Sequence, residues 1–116
     1  MKRISNRSFG IQQGSRTLFS DFAVDGVMWT GQGEREIRQP VTFPEPFQAL
    51  PAVMVAIAMW DMDHNTNPRA DIRSDNITTT GFDIVFRTWS DTRIARIRAD
   101  WTAIGTVQDD EVWEVV

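Results

Sequence analysis

From Arg93 to Ile104 the chain places Ala95, Ile97, Ala99, Trp101 and Ala103 on one side and Ile94, Arg96, Arg98 and Asp100 on the other. A two-residue period sustained over that length belongs to a β-strand with one dry and one wet face; an amphipathic helix would repeat every 3.6 residues. The dry face interleaves small residues with one large indole, a composition that suits close packing of a second sheet. Any fold open to this chain must accommodate that strand.

Other segments repeat the signal. Arg69 to Asp75 alternates strictly, with Arg and Asp sharing a face. Phe82, Ile84 and Phe86 line one side of a run bounded by Thr79-Thr80-Gly81 and by Trp89-Ser90-Asp91-Thr92. Ala52 to Trp60 is a continuous apolar run with Val53, Val55 and Ile57 at alternate positions, which predicts a strand buried on both faces. Leu18 to Phe22 and Val27 to Trp29 read as short strands split by the hairpin-type turn Asp25-Gly26. Thr30 to Arg35 is a Gly-containing polar loop, and Pro44, Pro46 and Pro51 exclude a helix after Val41-Thr42-Phe43. Short strands, regular turn signals and no helical period predict an all-β antiparallel sandwich. Residues 1–13 read as a polar N-terminal arm, 14–106 as the domain, and 107–116 as an acidic tail whose Trp113 is either solvated or docked on a partner chain.

Composition narrows the function classes. A chain of 116 residues fits one domain, and 41% hydrophobic with 24% charged residues is the balance of an ordinary globular core. No stretch approaches a membrane span, and no apolar segment follows the charges of Met1 to Arg7. No export leader is therefore read, membrane insertion is not expected, and the compartment stays open; release by lysis or with a particle would require no leader. The absence of Cys removes disulfides, thiolate metal sites and Cys nucleophiles, leaving stability to packing or to assembly with other chains.

A net charge of −4 argues against nucleic acid as a partner, although the cations are eleven Arg and one Lys. Asp71, Asp75, Asp83 and Asp100 share faces with Arg69, Arg73, Arg87, Arg96 and Arg98, so cross-strand pairing should neutralise them. An outer face that also carries Val85 and Ile94 suits water and a subunit interface equally. One His, no Gly-x-Ser-x-Gly and no phosphate-cradling loop leave the usual catalytic arrangements short of parts, so no enzyme and no cofactor is expected. His64 stands in an Asp/Asn-rich loop from Asp61 to Asp71 that lacks the calcium-loop spacing and reads as an Asx-turn rather than a metal site.

Between Val41 and Gly105 an ordered series of motifs stands out: Val41-Thr42-Phe43 with Pro46-Phe47, Pro51-x-Val53-x-Val55 running to Asp61, Asn67-Pro68-Arg69, Thr80-Gly81-Phe82, and Thr88-Trp89-Ser90-Asp91-Thr92 leading to Trp101. In this series the chain resembles the H-type lectin domain of snail agglutinins and of the discoidin C-terminus. The resemblance implies a six-stranded antiparallel β-sandwich, assembled as a homotrimer, that binds terminal sugars such as N-acetylgalactosamine or galactose in clefts between protomers. It implies a sugar-contacting role for Arg69 and a packing face on Trp89. Ser90 stands where the snail proteins carry a sugar-binding His, and Gln32 where they carry an acidic residue, with Glu34 or Asp91 as replacement acceptors. The expected sugar-binding set is therefore Arg69, Trp89, Ser90, Asp91 and Gln32, and the expected partners are glycans. The alternative is a structural trimerisation or adhesion module of a larger particle whose sugar site has changed.

Overall fold

A computed structural model describes Met1 and residues 8–108. Six strands appear in chain order: β1 (Phe9–Ser20), β2 (Arg35–Thr42), β3 (Ala52–Met62), β4 (Asp71–Asp75), β5 (Gly81–Thr88) and β6 (Ile94–Thr106). They form two antiparallel three-stranded sheets, β1-β6-β3 and β2-β5-β4, packed face to face as a sandwich. The all-β expectation holds.

The alternating β6 sits at the centre of its sheet, and the side predicted to be dry faces the core: Ile97, Ala99 and Ala103 are fully buried. From the other sheet Phe82, Ile84 and Phe86 of β5 meet it. The interleaved alanines make room for aromatic rings. Phe43, Phe82 and Trp101 cluster with centroids 5.5–5.8 Å apart, and Phe43 also stands edge-on to Phe47 at 5.0 Å. Gly14 on β1 lies directly against this cluster: a Cβ there would come within 2.7 Å of Trp101 Nε1, so the indole occupies the volume a side chain would need.

Several local expectations are corrected. Phe9 to Gln13, read as part of an arm, is the first half of β1 and pairs with Thr106 to Thr102. Its outward side mixes Phe9 and Ile11 with Gln13 and Ser15, so the pattern carries little contrast. Val27 to Trp29 is not a strand: Val27–Thr30 forms one helical turn (α1) after a 3-10 turn at Phe22–Val24. Buried Met28 anchors that turn, its N–H donating to Asp21 Oδ2 at 2.9 Å. Ile94 is not on the outer face; a register shift opposite Asp61 and Met62 turns it into the core, fully buried. Trp113 lies outside the described residues.

β3 is the largest departure. It was expected to be buried on both faces, yet it is an edge strand whose Val53, Val55 and Ile57 pack on the core while Ala52, Met54, Ala56, Ala58 and Trp60 face outward. A two-layer sandwich supplies cover for one face only. The outcome is an exposed apolar stripe that includes Met54 and Trp60, each more than half exposed.

Charge pairing is present on the opposite sheet but only partly between the expected partners: Arg87 meets Asp71 as expected, whereas Asp75 and Asp83 are taken by Arg38. Arg38 reaches Asp75 at 2.9 Å and Asp83 at 3.0 Å, and Arg87 reaches Glu34 at 3.2 Å and Asp71 at 3.9 Å. Val85 is fully buried on this outer face, where Arg38 and Arg73 flank it in the neighbouring strands. On the β1-β6-β3 sheet, Arg96 pairs with Asp61 at 3.2 Å.

Candidate functional site

Connections at one end of the sandwich bring together the loop after α1, the segment before β4 and the β5–β6 turn. Arg35 organises them. At the start of β2 it occupies the inward register shared with Ile37 and Val41, and it is 6% exposed. Its Nε donates to the Gly33 carbonyl at 3.0 Å, Nη1 to Met28 at 3.2 Å and Nη2 to Ser90 at 3.2 Å. One planar fork thus ties three loop backbones into a single frame. Burial lowers its pKa from the ordinary value. Gly33 N–H also donates to Ser90 O at 2.9 Å. Both turns use left-handed backbone, Gly33 at φ 78° and Ser90 at φ 61°.

Arg69 is held by a second device. Thr88 and Thr92 are both fully buried. The Thr88 hydroxyl donates to Arg69 O at 2.5 Å, while Thr92 Oγ1 accepts from Arg69 N–H at 3.2 Å and donates to the Asn67 carbonyl. With both backbone groups fixed, the guanidinium emerges from a defined point, one third exposed, and Nη1 pairs with Asp91 Oδ1. Its remaining donors have no protein acceptor among the described residues.

Burial pushes the Asp91 carboxyl up, but hydrogen bonds from the Asn67 backbone and from Arg69 outweigh it, so its pKa lies below the ordinary value. Asn67 N and Nδ2 approach Asp91 Oδ2, both at 3.5 Å. Trp89 is half-buried, with the Arg87 guanidinium 4.8 Å from its ring centroid. Ser90 and Gln32 are exposed on adjoining turns.

The structure therefore brings Arg69 and Asp91 into direct contact and carries Trp89, Ser90 and Gln32 on the connections around them. Glu34 is engaged by Arg87. Arg35, Thr88 and Thr92 were not singled out from the sequence. Counting back by twos from buried Val41 points to Arg35, whereas the threonines carry no signal beyond lying in the Thr88-to-Thr92 motif. In the Asp-rich loop, Asp63 Oδ1 accepts from Asn65 N–H at 2.9 Å, forming the expected Asx-turn, and Oδ2 pairs with Arg93 at 3.3 Å. Among the described residues no three His, Asp or Glu groups stand close enough to hold a metal ion, and no helix is long and apolar enough to cross a membrane.

A rigid β-sandwich that presents a fixed guanidinium, a carboxylate and an indole from loops at one end has the build of a recognition module. Residues 38–104 match the family model of the H-type lectin domain. A Fuscovulum blasticum protein described as ORF 7 of the ATP synthase subunits region is 67% identical over 108 residues, 93% of this chain and 94% of that protein. A discoidin-1 chain of Dictyostelium discoideum is 41% identical over 75 residues, 64% of this chain. The solved structure of discoidin II from the same organism superposes with a TM-score of 0.76 at 28% identity, covering 93% of this chain. The match spans 30% of the discoidin-1 chain and 40% of the discoidin II chain. The chain belongs to the H-type lectin family.

Proposed function

We propose that this protein is a non-catalytic lectin that binds terminal sugars such as N-acetylgalactosamine or galactose through Arg69, Ser90, Asp91 and the Gln32 loop. The observation that carries this reading is the Arg69 guanidinium: its backbone is clamped by Thr88 and Thr92, one nitrogen is paired with Asp91, and its other donors are free to meet vicinal hydroxyls. Trp89 has one face against Arg87 and offers the other to a sugar C–H face or an N-acetyl methyl. In this reading Asp91 is both the orienting anion and the acceptor that replaces the acid lost at Gln32.

The lectin works as a homotrimer with sites in the clefts between protomers. Support comes from the first part of the outward face of β3, where Ala52, Met54 and Ala56 present apolar surface that a sister chain would cover, stopping short of Trp60. Single-site affinity is weak, and useful avidity comes from several sites engaging one glycan-coated surface. A broad glycan array read beside a solution mass tests ligand and assembly together. Binding is expected for the wild type and absent for Arg69→Ala; array binding unchanged in that variant would remove the site.

A second reading, a structural trimerisation or adhesion module, is favoured by one observation. Both carboxylates at this end, Asp91 and Glu34, are already paired with Arg69 and Arg87. A trimer that binds nothing across the array would establish it.

A further inference from the structure

Two open concavities lie along the loop from Asp61 to Pro68 that leads into Arg69. One, of about 390 Å³, is lined by Trp60, Thr66 and Pro68 together with Asp61 to His64. The other, of about 440 Å³, is lined by Phe22, Trp29 and Ala95 together with the same four residues, Asp61 to His64. The two concavities meet along Asp61 to His64, with Trp60 beside one and the Phe22–Trp29 pair beside the other; together they are called the groove. Its near end is tied to the candidate site through the chain: Pro68, which lines it, precedes Arg69, and the preceding Asn67 approaches Asp91 at 3.5 Å.

The groove is built from held parts. The Arg93 guanidinium lies 4.2 Å from the Trp29 ring centroid, donates Nε to Trp29 O at 2.9 Å and pairs with Asp63. Phe22 stands edge-on to Trp29 at 5.0 Å and remains 61% exposed; Trp60 is 57% exposed. Between these rings the rim carries Asp61 and His64, which are hydrogen-bonding groups in contact with water. Exposed aromatic faces alternating with polar rims match a sugar chain, whose residues each show an apolar C–H face and a hydroxylated edge.

We infer that the groove holds the second and third residues of an oligosaccharide whose terminal sugar sits at Arg69, so that the ligand is a glycan chain rather than a lone terminal sugar. This inference rests on the lectin reading above. Trp60 stacks the residue next to the terminal one, and Phe22 with Trp29 stacks the one beyond.

The test is isothermal titration of the intact protein with soluble galactose- and N-acetylgalactosamine-terminated oligosaccharides, from monosaccharide to tetrasaccharide, in α and β linkages. Affinity is expected to rise with length up to the trisaccharide in at least one linkage series, by roughly tenfold per occupied aromatic subsite, the equivalent of one stacking contact. Trp60→Ala and Phe22→Ala, both at exposed positions, should lower binding of the long ligands toward the monosaccharide value and leave the monosaccharide unchanged. Arg69→Ala should abolish binding at every length. Monosaccharide binding with no gain on lengthening in any series, or a length gain that survives both aromatic substitutions, overturns the groove and leaves the lectin reading standing. Absence of binding at every length overturns both.

Discussion

The clamp on Arg69 can be tested by removing one oxygen. Thr92→Val keeps the shape of a fully buried side chain and deletes the hydroxyl that accepts from Arg69 N–H and donates to Asn67 O. A buried backbone group left without a partner costs about 1–3 kcal/mol. The Asn67 carbonyl belongs to an exposed loop residue and recovers part of its loss from water, so the two together come to about 2–4 kcal/mol. For a domain of this size each kcal/mol moves the melting temperature by about 4–8 °C, which places the variant roughly 8–32 °C below the wild type. Thermal unfolding by circular dichroism measures the shift, and titration with the best-binding glycan of the array measures the site. Sugar binding should weaken beyond what the unfolded fraction explains, because the guanidinium loses its fixed origin. Thr92→Ser, which keeps the oxygen, should retain most of both properties. A Thr92→Val protein that melts within about 2 °C of the wild type and binds equally well would refute the clamp.

Gly14→Ala should destabilise by about 1–3 kcal/mol or more, since the new methyl would overlap the Trp101 indole; urea unfolding checks it, and an unchanged midpoint would show the ring free to move. Asp75 and Asp83 sit below the ordinary carboxylate pKa, Asp75 mainly through Arg38, and Asp83 through Asn76 and Arg38. Because the folded values are depressed, this stabilisation is present above the unfolded pKa of about 3.9 and is lost as pH falls through and below it. Melting temperature should therefore hold steady down to about pH 5 and then decline, with a shallower decline in Arg38→Ala. Met54→Asp puts a charge in the exposed stripe of β3 and should convert the proposed trimer into folded monomers; a wild type that sediments as a trimer and a variant of unchanged mass would place the assembly surface elsewhere.

The strands that could be read from the sequence are those whose two faces meet different surroundings. β5 and β6 alternate because one side packs on the opposite sheet and the other meets charge or water, and β4 keeps its period for the same reason. β1 was half missed because its outward side carries both apolar and polar residues. α1 was misread because a single helical turn is decided by what it docks on, here Met28 in the core, rather than by local period. The apolar run in β3 showed a strand but could not show how many layers would cover it. At the candidate site, the motif resemblance pointed to Arg69 and the Trp89–Asp91 turn as candidates, whereas the supports beneath them carried no such signal. Thr88 and Thr92 act on backbone atoms, and no residue pattern at Asn67 or Arg69 reveals which hydroxyl will reach them.

The grip of Arg35 bears on how such a module can diversify. Every atom it holds is a main-chain oxygen, from Met28, Gly33 and Ser90. Side chains at Gln32, Glu34, Ser90 and Asp91 can be exchanged without loosening that tether, provided the left-handed turns at Gly33 and Ser90 survive. The chemistry of the loop surface and the integrity of the architecture are thereby uncoupled in this fold, and the loops can change what they present while the strands beneath them stay unaltered.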